Sequence, residues 1–173
     1  MLSVESIPGI VAVTVSLVAC VTDVRSARIP NMLTFTAAAA AVVFHLIVGG
    51  PRAGAASVAG WFVGVLLYAP FFIIGVRGAG DAKLLAAVGA WLGPWLTLFV
   101  ALYTSLAGGV MAVGVALACG YLTTAFRNLW LIITSWRLGI ANVPGMTLAD
   151  SSGPRLTHAL PVAVGTSLTL WLR

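Results

Sequence analysis

The chain has 173 residues, of which 61% are hydrophobic and 8% are charged, and its formal net charge at pH 7 is +5. About 25% of the residues in a soluble globular domain are charged, so this composition excludes an ordinary soluble domain. The basic residues fall singly between apolar segments and form no patch, which favours a role in membrane topology over nucleic-acid binding.

Long apolar segments follow one another along the whole chain. A bilayer-spanning helix needs about 20 residues, so the length allows about six transmembrane helices in an all-α, polytopic membrane protein. We predict a single transmembrane domain over residues 1–173, with no separate soluble domain. The predicted segments cover approximately residues 7–22, 32–48, 58–76, 82–92, 95–122 and 156–172.

Proline, glycine and polar residues separate these segments. Pro30 separates the first apolar segment from the second. Residues 49–52 form a Gly-Gly-Pro-Arg turn after the second segment, and Gly93 with Pro94 ends the fourth segment. Residues 123–142 carry tryptophans and arginines and are compatible with an amphipathic helix in the membrane interface. Cys20 and Cys119 form no CxxC pair, and we assign no metal and no cofactor.

The basic residues predict the orientation in the membrane. Seven lie at one predicted face and two at the other, so the seven-residue face is expected in the cytoplasm and the N-terminus outside. The first set is Arg25, Arg28, Arg77, Lys83, Arg127, Arg137 and Arg155, and the second is Arg52 and Arg173. Tryptophans, which prefer membrane surfaces, fall at predicted outer ends (Trp61, Trp91, Trp95, Trp171) and at the inner surface (Trp130, Trp136).

Acidic residues are scarce, and two of them fall at the cytoplasmic ends of predicted helices. The chain has four acidic residues: Glu5, Asp23, Asp81 and Asp150. Asp23 closes the first apolar segment, and Asp81 begins the fourth segment. Carboxylates are costly near a bilayer and therefore indicate function. Two close carboxylates share a proton, so that one acts as general base and the other as general acid, as in aspartic proteases.

Structural roles for the same acids stay open at this point. Asp81 is also suited to cap a helix that starts near residue 82, because its side chain would satisfy free backbone N–H groups. Asp23 is also compatible with a juxtamembrane acid balanced by Arg25 or Arg28. Only the pairing of two scarce acids at one membrane depth favours catalysis.

Three neighbours of Asp81 are candidate substrate-binding residues. Gly78 and Gly80 allow backbone conformations closed to other residues, and they would let the chain turn tightly beside an extended peptide. Lys83 lies two residues from Asp81 and does not share its helix face. Its ammonium either extends to the lipid headgroups or contacts substrate and tunes the acids.

Two motifs in this chain resemble those of type IV prepilin peptidases. Residues 78–83 read Gly-Ala-Gly-Asp-Ala-Lys, which matches the GxGDxK motif of that family. Asp23 is followed by Ile29-Pro30-Asn31, which matches the family's second signature. The order and separation of the motifs and their membrane context also agree, and the resemblance covers about residues 7–172.

The resemblance implies an activity and a site. Members of the family are aspartic endopeptidases that cleave the leader from prepilins or pseudopilins at the cytoplasmic membrane face, typically just after a glycine. The catalytic pair would be Asp23 and Asp81. Larger members carry two CxxC pairs and also methylate the new N-terminus; without those cysteines this chain is expected to be a short, peptidase-only form that serves Flp-type or Tad-type pili. Residues 160–165 match the family's last helix only loosely.

The expected environment is the cell inner membrane, with a prepilin or pseudopilin as substrate, the lipid bilayer as surroundings and no nucleic-acid partner. The oligomeric state is left open. One alternative is a small transporter or channel that uses intramembrane acids, although such proteins place the acids near the membrane midplane. Another is a non-catalytic pilus assembly factor that has kept the fold.

Overall fold

Helices make up the described part of the protein. The computed structural model describes residues 6–26, 28–73, 79–120, 122–123, 127, 130, 134, 157 and 159–172, and these ranges contain no strand. The all-α fold predicted from composition is therefore confirmed for them. The helices are α1 (Ile7–Ser26), α2 (Asn31–Ile73), α3 (Ala79–Leu92), α4 (Pro94–Ala118) and α5 (Ala159–Trp171).

Three of these helices, α1, α2 and α4, are long and apolar enough to cross a membrane. Within their most apolar windows 22%, 22% and 17% of the residues are buried, so most of their apolar side chains face outward, as lipid contact requires. The helices α3 and α5 have 14 and 13 residues. At 1.5 Å per residue each is only about 20 Å long, shorter than a hydrocarbon core of about 30 Å.

The chain reverses direction inside α2, at Gly50. A straight helix of the 43 residues of α2 would be about 65 Å long, twice the hydrocarbon thickness. Gly50 has φ 72° and ψ −168°, a left-handed φ that favours glycine. The half before Gly50 runs parallel to α3 and the half after it runs antiparallel. The contacts that establish this are Asn31–Lys83 and Phe44–Trp91 for the first half, and Ser57–Ala90, Gly60–Gly89 and Gly64–Ala86 for the second.

The turn predicted over residues 49–52 is thus observed at its second residue. When the two halves of α2 are counted separately, the helices α1 to α5 provide six helical segments. These coincide with the six apolar segments of the sequence. The helix ends differ by up to four residues, except that the second half of α2 begins about seven residues before the predicted start at residue 58. Two of these differences affect the acidic residues.

Small residues bring α2 and α3 into close contact. A Cβ atom on Gly60 would overlap the carbonyl oxygen of Gly89, and one on Gly64 would lie 2.6 Å from the Cα atom of Ala86. The Ser57 hydroxyl donates a hydrogen bond of 2.7 Å to the carbonyl oxygen of Ala90. The glycines four residues apart in the sequence therefore form a helix-packing face, as small residues do in membrane proteins.

The core is centred on α3. The consecutive residues Leu84 to Val88 are fully buried. Five consecutive residues cover every face of a helix, so neighbouring helices surround α3. Trp91 also belongs to this core: it is 5% exposed and its ring packs on Phe44 at a centroid distance of 5.6 Å. Trp91 stands in the last turn of α3 but faces the core, whereas Trp95 and Trp171 are exposed.

The helices α1 and α5 pack antiparallel. The Ser16 and Thr166 hydroxyl oxygens lie 3.4 Å apart, and a Cβ on Gly9 would lie 3.3 Å from Leu170. As residue numbers rise along α5 they fall along α1. The N-terminus of α5 therefore lies beside the C-terminal end of α1, where Asp23 is located.

The chain divides into two compact units. One comprises Met1–Gly108 and Thr157–Arg173, and the other comprises Gly109–Leu156. The first unit contains α1, α2, α3, α5 and the beginning of α4. The second contains the end of α4, and most of the predicted interfacial helix at residues 123–142 lies outside the described residues.

Candidate active site

Asp23 lies in the last turn of α1. The sequence prediction ended this helix at Thr22, but the helix continues to Ser26 and Asp23 is one of its residues. The side chain is half-buried, and its Oδ2 atom accepts a hydrogen bond of 3.3 Å from the backbone N–H of Ala159. Because the first N–H groups of a helix have no acceptor within that helix, Asp23 caps α5 from a different helix.

Asp81 is the third residue of α3 and is 5% exposed. The sequence prediction started this helix near residue 82, whereas it starts at Ala79. Asp81 therefore lies inside the first turn of the helix and does not precede it. A carboxyl group so deeply buried is costly, which is typical of a residue with a function.

The two sequence motifs are in contact. Ile29 lies against Gly80, with 3.5 Å between the Ile29 Cβ atom and the position of a Cβ on the glycine. The Lys83 ammonium donates a hydrogen bond of 3.0 Å to the Asn31 Oδ1 atom. The Ile-Pro-Asn end of the first motif thus packs on the Gly-Asp-Ala-Lys end of the second. In addition, α1 packs directly against α3, so the helices that carry Asp23 and Asp81 are neighbours.

Lys83 also lies over an aromatic ring. Its Nζ atom is 5.7 Å from the centroid of the Phe35 ring, within the range of a cation–π interaction. The sequence predicted lipid headgroups, substrate or the acids as partners of Lys83, and it did not predict Asn31 or Phe35. The signal was available, because Asn31 and Lys83 are both motif residues, although 52 positions separate them.

The glycines of the second motif are only partly described. Gly78 lies outside the described residues. Gly80 lies in the first turn of α3, and it is not among the glycines with positive φ in the described ranges, which are Gly50, Gly93 and Gly120. The predicted tight turn is therefore not at Gly80, and a substrate-binding role for Gly78, Gly80 and Lys83 stays a prediction.

Three helix N-termini lie at the same end of the first unit as the acids. The helix α2 begins at Asn31, α3 begins at Ala79, two residues before Asp81, and α5 begins at Ala159. The helix α1 ends at the same end of the unit, since Asp23 in its last turn contacts Ala159. A helix N-terminus carries a partial positive charge that stabilises nearby anions. Asp81 lies in the first turn of α3, where the helix dipole favours negative charge. Asp23 accepts the first N–H of α5 but also lies at the C-terminal end of α1, whose dipole acts in the opposite sense.

The contact between Lys83 and Asn31 yields a first test. We expect Lys83→Met and Asn31→Ala each to lower the melting temperature of the detergent-solubilised protein, and the double variant to lower it by less than the sum. The coupling should correspond to about 0.5–1.5 kcal/mol, as for one hydrogen bond. Additive changes in a double-mutant cycle followed by thermal unfolding would contradict a direct interaction.

A family model described as the type IV leader peptidase family matches residues 10–113, a range that includes Asp23 and Asp81. A protein of Aeromonas hydrophila named prepilin leader peptidase/N-methyltransferase is 37% identical over an alignment of 102 residues, which covers 55% of this chain and 35% of that protein. A protein of the same name from Aeromonas salmonicida (strain A449) is 36% identical over 102 residues, with the same coverage. The chain therefore spans about a third of the length of these curated relatives. No solved structure matches the chain significantly.

Proposed function

Because the chain belongs to the type IV leader peptidase family, we propose that it is an aspartic endopeptidase that removes the leader peptide from type IV or Flp-like prepilins or pseudopilins. The observation that carries this proposal is the contact between the two motifs, through Ile29 and Gly80 and through Asn31 and Lys83. These contacts hold together the segments that contain Asp23 and Asp81. The relatives' names support a prepilin as the substrate class.

In the proposed mechanism, Asp23 and Asp81 share one proton and bind one water molecule. One carboxylate takes a proton from the water molecule while the water oxygen attacks the scissile carbonyl carbon. The other carboxyl group donates its proton to the amide nitrogen as the C–N bond breaks. The leader leaves with a new carboxyl group and the mature pilin with a new amino group, and no further reactant is needed.

The substrate would reach this site partly through the membrane. Its apolar helix would dock laterally on the bundle, and its leader would stay in the cytoplasm. In this arrangement Gly78, Gly80 and Lys83 would border the peptide near the scissile bond. Exposed apolar side chains on α1 near Asp23, such as Val21 and Val24, support an approach from the lipid side.

We propose that the end bearing the acids faces the cytoplasm of a cell with the chain in its inner membrane. Among the described residues, Arg25, Arg28 and Lys83 lie at that end, whereas Arg52 follows the reversal at Gly50, at the opposite end. Basic residues near membrane spans stay on the cytoplasmic side, which supports this orientation and an external N-terminus. The position of both acids at helix ends also speaks against the transporter alternative, which needs them near the midplane.

The proposal is tested by co-expression with an Flp-type prepilin in cells that lack their own prepilin peptidase. We expect the native chain to shorten the precursor, with the new N-terminus found by mass spectrometry just after a glycine. The matched control is the Asp23→Asn, Asp81→Asn double variant at equal membrane abundance, which should leave the precursor intact. Uncut precursors from several Flp-type systems in the presence of the native chain would contradict the proposal.

A further inference from the structure

A cavity lies at the end of the first unit that is opposite to the acids. Its volume of about 460 Å³ is within the range of small-molecule sites in proteins. All five helices border it, through residues at the start of α1 and α4, at the end of α3 and α5, and through His45 in the first half of α2. The candidate active site uses none of these residues, so the cavity needs a separate explanation.

The lining of the cavity is mostly apolar. Among the described residues that line it, the polar side chains are Ser6, His45 and Trp91. His45 Nδ1 donates a hydrogen bond of 2.8 Å to the carbonyl oxygen of Ala41, and Ser6 also has an interaction within the chain. A buried water molecule makes about three hydrogen bonds to polar groups, and this lining offers few of them. An occupant with an apolar chain therefore suits the cavity better than a cluster of water molecules.

Trp91 presents a hydrogen-bond donor without an acceptor. The residue is 5% exposed, and its Nε1 atom is buried and has no hydrogen-bond partner among the described residues. The indole ring packs on the rings of Phe44 and His45, at centroid distances of 5.6 and 6.1 Å. Because the N–H of a buried tryptophan usually finds a partner, this group indicates an acceptor that comes from outside the chain.

The level of the cavity in the membrane indicates which acceptor is available. Leu96 and Leu170 line the cavity, and their neighbours Trp95 and Trp171 are 68% and 81% exposed. Exposed tryptophans are typical of the membrane–water interface, where the glycerol esters of lipids also lie. An ester carbonyl oxygen accepts a hydrogen bond and carries no charge. An uncharged acceptor suits this cavity, because helix ends of both polarities border it and their dipoles favour neither sign of charge.

We propose that this cavity binds one membrane lipid through its glycerol ester region. The ester carbonyl oxygen accepts a hydrogen bond from Trp91 Nε1, and the first part of the acyl chain lies along the apolar side chains of Ile10, Leu96 and Leu170. The headgroup stays at the membrane surface and is not recognised. This site is separate from the candidate active site, and it does not depend on the proposed peptidase activity.

Native mass spectrometry of the detergent-solubilised chain tests the proposal. The chain is offered equal amounts of dioleoyl phosphatidylglycerol and its diether analogue, which has the same headgroup and chain length but no carbonyl oxygen. We expect the diester to be bound about three- to tenfold better, as for one hydrogen bond. The diester and diether forms of phosphatidylethanolamine should give the same ratio, because the headgroup is not recognised.

Trp91→Phe should bind the diester and the diether equally, because it removes the N–H and keeps an aromatic ring. Trp95→Phe is the matched control, since it makes the same change at an exposed tryptophan of the same level and should keep the native preference. If Trp91→Phe lowers the melting temperature strongly, 3-benzothienylalanine at residue 91 keeps the bicyclic ring without an N–H. This variant should also abolish the preference.

Three results would overturn the proposal. One is equal binding of the diester and the diether by the native chain, or binding of neither. Another is a preference for the diester that survives both changes at residue 91. The third is a preference that is lost in Trp95→Phe and kept in Trp91→Phe, which would assign the ester contact to the exposed surface and not to the cavity.

Discussion

Asp81→Asn and Asp23→Asn should each lower the rate of precursor cleavage by about 10²–10⁴-fold, the range supplied by one acid–base group. Asparagine has nearly the same shape as aspartate but neither accepts nor donates a proton at neutral pH. At residue 23 its amide oxygen can still accept the N–H of Ala159, which preserves the contact between α1 and α5. The loss should therefore appear in the rate and not in the amount of protein in the membrane.

The measurement compares initial cleavage rates of one prepilin at matched membrane abundance. Asp150→Asn is the control, because it makes the same chemical change in the polar segment between the last two predicted transmembrane segments. It should retain the native rate. Normal cleavage by either motif variant would exclude paired-carboxylate catalysis, whereas a loss of abundance with a normal rate per molecule would favour the assembly-factor alternative.

Gly60→Ala and Gly89→Ala should have the largest effects on stability. A Cβ on Gly60 would overlap the Gly89 carbonyl oxygen, and one on Gly89 would overlap the Gly60 carbonyl oxygen and lie 2.8 Å from Thr97 Oγ1. Both obstacles include backbone atoms of a packed helix, which cannot move aside as a flexible side chain can. Relief requires α2 and α3 to separate, and overpacking of this kind costs about 1–3 kcal/mol or more.

Gly109→Ala and Gly114→Ala provide matched controls. Both glycines are in α4, and a Cβ at either would meet nothing within 4 Å. Alanine favours the helix, so these variants should melt at or above the native temperature. Thermal unfolding of purified protein in one detergent gives the comparison. Equal melting temperatures for Gly60→Ala and Gly114→Ala would contradict the close packing of α2 on α3.

A substitution at the α2–α3 interface should also disturb the candidate active site. The same α3 helix carries Asp81 near its start and Gly89 near its end. A displacement of α3 would disturb the bond between Lys83 and Asn31 and the burial of Asp81. Loss of stability and loss of cleavage are therefore expected together in Gly89→Ala, in contrast to Asp81→Asn, where only cleavage is lost.

The sequence determined the features that depend on local composition. Helical membrane segments follow from continuous apolar stretches, and the reversal at Gly50 follows from a Gly-Gly-Pro-Arg turn between two of them. The scarcity of acids and the two motifs identified Asp23 and Asp81 as the candidate pair. These inferences need only neighbouring residues or a count along the chain. The helices agree with the predicted membrane segments and the family match agrees with the resemblance of the motifs, whereas the catalytic role of the pair stays a prediction.

Only the tertiary structure decided which groups surround the acids. The partner of Asp23 is the N–H of Ala159, 136 positions away, and the partner of Lys83 is Asn31, 52 positions away. No periodicity or spacing specifies such pairs, because they depend on which helices pack together and at what register. The burial of Asp81 and of Trp91 has the same origin: both lie on α3, which neighbouring helices enclose, although the sequence alone places them at a helix end where water or headgroups would be expected.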